Sequence, residues 1–215
     1  MSAVVDRTRG DNEMVKRNEI EKGRKENSAV KERIINVAWD LFSEKGFEAT
    51  TLNDILEAAG IAKGTFYYYF RGKDSLLTTL SVVLDNYYAE LDKELRDEDN
   101  AYDKLMYLNY KVHTMIGEKI DPNLMANLYS AQLLHEDKGY LLDRNRYYFR
   151  LITKIIDEGQ KRGEIIRNKS VDEIVRIYSL CERALITDWC MNNGDYDLGA
   201  FSKEYMPMFF AQFKA

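Results

Sequence analysis

Turn-forming residues are scarce in this chain: two prolines and twelve glycines in 215 residues. An all-β sandwich spends both on its many turns, so their scarcity excludes that class and leaves an all-α fold as the expectation. Cysteine is nearly absent too. Cys181 and Cys190 are too few for a disulfide framework and fit a reducing compartment. Nine positions apart on one helix, they would stand about 13.5 Å from each other on nearly opposite faces, beyond reach of a bond or a shared metal within that helix. No apolar run nears the roughly 18 residues of a membrane span, and the opening Met1-Ser2-Ala3-Val4-Val5-Asp6 lacks the basic-then-apolar order of a secretory signal. A cytoplasmic protein without membrane association is expected. Basic charge is not in excess either: 31 Lys plus Arg against 36 Asp plus Glu give a net −5, which at first sight disfavours nucleic acid.

What is present is helical periodicity. Residues 1–27 mix charges of both signs with almost no large apolar side chain, so they cannot offset their ordering entropy and read as a flexible charged arm. From Val30 the pattern changes: Val30, Ile34, Val37, Ala38, Leu41 and Phe42 form a helical stripe that should stop at Gly46. Thr51 and Asp54 match a capping box for a short helix over Leu52–Ala59, which Gly60 ends. A third short helix, Lys63–Phe70, follows at once, and a longer stripe then begins: Leu76, Leu80, Leu84, Tyr87, Leu91, Leu95. Further stripes are Leu105, Leu108, Val112 and Met115; Leu124, Leu128 and Leu133 behind Pro122; a helix from about Tyr140 ending at Gly159 and Gly163; Ile174, Ile177, Tyr178, Cys181, Leu185 and Trp189; and Leu198, Phe201, Tyr205, Phe209 and Phe213, which Pro207 should bend or split. The total is about nine helices: an arm over 1–27, a three-helix unit over 28–74 and a helical domain over 75–215.

Two short helices joined by a glycine turn on a preceding helix describe a helix-turn-helix, an arrangement common enough that charge must discriminate. No acidic residue lies between Glu57 and Asp74, whereas Lys63, Arg71 and Lys73 do, beside Tyr67, Tyr68 and Tyr69. A basic, aromatic, acid-free surface suits phosphate contact, because each cation that neutralises a phosphate releases a condensed counterion. Seven helical residues rise about 10 Å, against a major groove about 12 Å wide. A helix of that length can enter with its first turn on base edges: Lys63 toward guanine, Thr65 toward base or phosphate, Gly64 allowing close backbone approach. Phe66 and Phe70 would anchor it on Ile34, Leu41, Phe42 and Ile55. The tyrosines fan out by about 100° each, so not all three can be core; Tyr68 and Tyr69 are the better placed to offer hydroxyls to phosphates.

The run from Ala49 through Thr50-Thr51, Ala58-Ala59-Gly60, Lys63-Gly64-Thr65-Phe66-Tyr67-Tyr68-Tyr69-Phe70 and Lys73 to Leu77, with Ala38, Leu41, Phe42, Gly46 and Phe47 before it, resembles the DNA-binding module of the TetR/AcrR family of bacterial regulators. The resemblance implies a homodimer that binds an operator duplex and is modulated, usually as a repressor, by a small organic ligand. It implies DNA-side roles for Thr50, Thr51, Lys63, Gly64, Thr65, Tyr67, Tyr68, Tyr69 and Lys73, with Thr51 capping the second helix and Lys73 on a phosphate. Ala62 departs from the family's usual Ser or Thr cap, and the long charged arm is a second departure. The last two helices would pair with their copies in the dimer.

An effector pocket would lie among the helices beyond residue 80, and the aromatic-rich composition there nominates Tyr107, Tyr110, His113, Tyr129 and Trp189. Enzyme signatures are missing: neither His113 nor His135 follows a Glu by three residues, and no nucleophile elbow or phosphate-binding glycine loop is present. Neither cofactor nor metal is expected. Against the regulator stand a helical carrier or enzyme with a vestigial DNA-binding unit, and an interaction protein dimerising through its C-terminal helices. Splitting the charge favours the regulator. Residues 1–80 hold 13 basic and 13 acidic side chains, residues 81–215 hold 18 and 23, and the window 58–73 carries +3. All the excess acid therefore lies outside the basic helix.

Overall fold

A computed structural model describes residues 27–42, 44–77, 79–134 and 140–215, with the side chains of Leu134 and Tyr140 outside that description. Residues 1–26 of the expected arm and His135 fall outside the described residues, whereas Asn27, its last residue, is helical. The chain divides into two compact units at Lys73 and Asp74. Among the described residues the structure is helical, apart from turns and one bridge between Ile165 and Lys214.

The first unit holds three helices. In α1 (27–42) the stripe turns Ile34, Ala38 and Phe42 inward. Phe47 meets Phe42 edge-on at 5.0 Å between ring centres. α2 (Leu52–Ala59) starts at the expected capping box: the Thr51 hydroxyl accepts the Asp54 N–H, and the Asp54 carboxylate accepts the Thr51 N–H at 2.8 Å. It ends at Gly60, whose left-handed φ of 61° lets its N–H and that of Ile61 reach back to the last free carbonyls. α3 (Lys63–Tyr69) opens on Ala62, which makes no side-chain cap bond. Phe66, fully buried, and Phe70 hold α3 to the other helices; burying one such side chain is worth about 1.5–3 kcal/mol.

The second unit contains α4 (Asp74–Leu77), α5 (Leu80–Asp92), α6 (Ala101–Lys119), α7 (Pro122–Leu134), α8 (Tyr147–Arg162), α9 (Val171–Met191) and α10 (Leu198–Phe210), with short 3-10 turns at Tyr140–Leu142 and Ala211–Phe213. α6 runs through the centre, against α5, α8 and α10; α9 packs on α7, α8 and α10.

Several boundaries differ from the periodicity. The stripe starting at Leu76 is two helices, because the Thr79 N–H and hydroxyl both turn back to the Leu76 carbonyl. On α5 the inward residues are Leu80, Leu84, Tyr88 and Leu91, with Tyr88 buried in place of Tyr87. α8 begins at Tyr147 rather than near Tyr140: Asp143 accepts the Asn145 N–H at its side chain and the Arg146 N–H at its carbonyl, a local turn that competes with helix. α8 also runs through Gly159 and stops only at Gly163. A Cβ on Gly159 would lie 2.5 Å from the Ala101 Cβ, so this glycine serves close packing against the start of α6. Pro207 sits inside α10 without splitting it. The inward face of α10 is Leu198, Ser202, Met206 and Phe210, leaving Phe209 exposed; apolar residues surround this helix, so periodicity alone leaves its phase open. On α7, Leu124 and Leu128 are buried but Leu133 is exposed.

Candidate nucleic-acid interface and buried cavity

On the first unit, the outward face of α3 is Lys63, Gly64, Tyr67 and Tyr68, with Thr65 and Tyr69 half-buried. Tyr68 is the most open of the aromatics at 71% exposure, and Tyr67 follows at 49%. The Lys63 ammonium lies 6.0 Å from the Tyr67 ring centre. Gly64 is exposed, with no atom within 4 Å of where a Cβ would stand. Nothing inside the unit requires a glycine there, although it costs the helix about 1 kcal/mol relative to alanine.

Other residues expected on this surface have internal partners. Thr50 is fully buried, and its hydroxyl donates to the carbonyls of Gly46 at 2.7 Å and Leu41 at 3.2 Å, tying the end of α1 to the start of α2. Its side chain is a brace rather than an outward donor. Thr51 is exposed, and its oxygen is occupied by the capping box. The Lys73 ammonium donates to the carbonyls of Phe47 at 2.6 Å and Thr50 at 3.1 Å and stands 4.1 Å from the Phe47 ring centre. The Tyr69 hydroxyl donates to the Asn27 side chain at 2.6 Å. Sequence spacing could place these side chains near the surface but could not show which carbonyls they would find.

The second unit encloses a cavity of about 60 Å³. Leu84, Val112, Ile116 and Ile186 give it apolar walls. Tyr88, His113, Tyr148 and Glu182, all buried, form its inner end, while Tyr129, Leu141, Arg146 and Arg183 are half-buried at its rim. The inner end is a hydrogen-bonded cluster. Glu182 of α9 accepts from the Tyr148 hydroxyl at 2.5 Å, the Asn109 amide at 3.2 Å and the Tyr88 hydroxyl at 3.4 Å. The Asn109 amide also faces His113 Nε2 at 3.4 Å, which makes that nitrogen the acceptor and leaves Nδ1–H to donate to Ser202 of α10. Burial lowers the His113 pKa to about 3, so the ring is neutral. Burial likewise raises the Glu182 carboxyl above its ordinary range, against the donors from Tyr148 and Asn109, and it lifts the phenols of Tyr88 and Tyr148 well up. At the rim, Arg146 is held bidentately by Asp85 at 2.8 and 3.2 Å. Among the described residues Arg183 has no hydrogen bond or ion pair.

Of the residues nominated for a pocket, His113 and Tyr129 stand in this wall. Tyr107 instead donates to Glu94, Tyr110 lies under the Lys203 ammonium, and Trp189 donates to the Tyr196 carbonyl. Tyr88, Tyr148, Glu182, Arg146 and Arg183 were not singled out by sequence. One signal was available for Glu182: it lies four residues after Tyr178 and three before Leu185, a carboxyl on the apolar stripe of α9.

Comparison with known proteins agrees with both units. Residues 34–80 match the family described as bacterial regulatory proteins, tetR family, and residues 81–211, more than half of the chain, match the YsiA-like protein C-terminal region. Among curated relatives, the fatty acid metabolism regulator protein of Bacillus subtilis is 23% identical over 82% of this chain and 91% of its own. The HTH-type transcriptional repressor KstR2 of Rhodococcus jostii is 27% identical over 80% and 85%. Among solved structures, the transcriptional regulator FadR from Bacillus subtilis in complex with stearoyl-CoA superposes with a TM-score of 0.65 at 22% identity, covering 82% of this chain and 96% of that one. Thermus thermophilus FadR in complex with lauroyl-CoA gives 0.64 at 21% identity over 83% and 92%. An exposed basic helix at the end of a glycine-turned helix pair, a helical unit with an interior cavity, and these matches together make the chain a member of the tetR family of bacterial regulatory proteins, a helix-turn-helix DNA-binding transcriptional regulator of the ligand-responsive kind.

Proposed function

We propose that this protein is a repressor that grips a two-fold operator as a homodimer and is released when an acyl-CoA thioester enters the cavity between α5, α6, α8 and α9. The observation that carries the DNA half is the outward face of α3. Lys63, Tyr67 and Tyr68 are exposed on a helix free of acid, and Gly64 has no packing reason to be glycine, which supports close approach of a duplex at that turn. Lys63, Gly64, Thr65, Tyr67 and Tyr68 are the residues assigned to DNA; Thr50, Lys73 and the Tyr69 hydroxyl act by holding α3 in place. The homodimer reading is supported by apolar side chains on the two last helices: Leu180 at 57% and Met191 at 78% on α9, Met208 at 68% and Phe209 at 45% on α10. The thioester class is drawn from the two FadR complexes, and the guanidinium of Arg183 at the rim suits the phosphates of such a ligand.

The test is selection of bound genomic fragments by the purified protein, followed by titration of the enriched duplex across a salt series. Steep weakening with salt and loss of sequence preference in Lys63→Ala are expected. No enriched site would end the regulator reading for this surface. Adding acyl-CoAs of increasing chain length to the protein–duplex complex then tests release.

A further inference from the structure

The cavity's inner end does not suit a plain hydrocarbon tail, and this narrows the acyl-thioester reading on which it rests. Leu84, Val112, Ile116 and Ile186 would accept methylenes, but beside them in the same wall stand a carboxyl, an imidazole and two phenols, all equally buried. These groups already bond one another, so a methyl group pushed among them can only lengthen or break those bonds without replacing them, which costs free energy in a buried site. The space is also small. About 60 Å³ holds only a few water molecules, so a chain that outgrows this room must push packed walls apart.

We infer that the effector is a compact acyl group carrying a hydroxyl at the end remote from its thioester, with that hydroxyl seated between Tyr88 and Glu182. The cluster is not uniform: Tyr148 is 2.5 Å from Glu182, whereas Tyr88 is 3.4 Å away, the longest of the three bonds to the carboxyl. A hydroxyl both donates and accepts. Entering at the long bond, it donates to Glu182 Oε1 and accepts from the Tyr88 hydroxyl, so neither loses a partner. An unsubstituted chain can do neither. A site built to bond a hydroxyl discriminates strongly against the analogue lacking it, whereas one built of apolar walls gains little from the group. The half-buried rim with Arg183 and Arg146 sets the direction, keeping the phosphate-bearing end outside and the acyl end inside.

The experiment measures binding of the full chain to matched pairs of CoA thioesters by titration calorimetry: hexanoyl, octanoyl and decanoyl, each against its ω-hydroxy counterpart. For at least one length the hydroxylated member is expected to bind about ten- to a hundredfold tighter. Tyr88→Phe removes one hydroxyl and keeps the ring, so it should fold and cut that preference several-fold; Glu182→Leu should abolish or reverse it. If plain chains bind as tightly as hydroxylated ones at every length, this inference is overturned while the thioester reading stands. If the preference exists but survives Tyr88→Phe unchanged, the seat between Tyr88 and Glu182 is wrong. If no thioester of either kind binds, the thioester reading itself fails and takes this inference with it.

Discussion

Lys73 has two physical roles open to it, and each leaves a different signature. The family resemblance implies a phosphate contact, whereas the structure has its ammonium on the carbonyls of Phe47 and Thr50 and over the Phe47 ring. Hydrogen bonds from a charged donor contribute about 1.5–3 kcal/mol, and a cation–π contact at a partly exposed site about 0.5–1 kcal/mol. Lys73→Ala should therefore destabilise the first unit by about 2–4 kcal/mol. Its three described helices span about 45 residues, for which total stability is about 2–7 kcal/mol, so the variant should sit near the edge of local unfolding. Hydrogen exchange on the full chain reads this directly: the amides of α1 and α2 should lose about one and a half to three orders of magnitude of protection while those of α6 keep theirs. The operator titration reads the other role, since Lys73→Ala removes one phosphate contact from each protomer of the dimer and so lowers the salt slope by about 1.8. The brace predicts weakened binding with an unchanged slope in the fraction that stays folded. A variant with full protection in α1 and α2 and a slope lowered by about two units would refute the brace and restore Lys73 to the phosphate.

Three further outcomes are expected. Gly159→Ala gains about 1 kcal/mol of helix propensity but drives a methyl to 2.5 Å from Ala101 Cβ and 2.9 Å from Ile165 Cδ1, at a helix start pinned by the 2.7 Å bond from the Ala101 N–H to Glu164. Overpacking of about 1–3 kcal/mol plus a strained hydrogen bond should win, lowering Tm by several degrees; a raised Tm would mean that α6 slides freely. Ala62→Ser supplies the cap α3 lacks and should slow exchange of the Thr65 amide and stabilise the helix by about 1 kcal/mol; unchanged exchange would show that the cap site is not formed. His113, neutral in the folded state with a pKa lowered to about 3, takes up a proton on unfolding below about pH 6.5. Stability is thus lost as pH falls, by about 2 kcal/mol between pH 6.5 and 5 from this group alone. Raised Glu182 acts oppositely, so urea midpoints are compared between wild type and His113→Gln: the variant should lose less over that interval, and parallel curves would refute a buried neutral ring.

Much of the fold was legible because it rests on local chemistry. Thr51 with Asp54, and Gly60 with its left-handed turn, fix α2 through atoms within a few residues of each other, so sequence spacing sufficed. Phe66 and Phe70 stand four apart, and any helix there turns both to one side. The exposed face of α3 followed from what was left over. Phases went astray where a helix is apolar all round, as with Phe201, Tyr205 and Phe209, or where one hydroxyl, that of Thr79, rewires a turn.

The sequence by itself determined an all-helical chain, a glycine-turned helix pair and a basic patch free of acid, because caps, glycine conformations and charge counts involve only neighbours along the chain. Tertiary structure decided the rest. Whether Lys73 meets a phosphate or a carbonyl depends on where Phe47 and Thr50 fold to. Why Gly159 lies within a helix depends on Ala101, and what surrounds Glu182 depends on Tyr88, Asn109 and Tyr148 arriving from three other helices. Each of those outcomes turns on distances of a few ångströms between residues far apart in the chain, and periodicity carries no information about them.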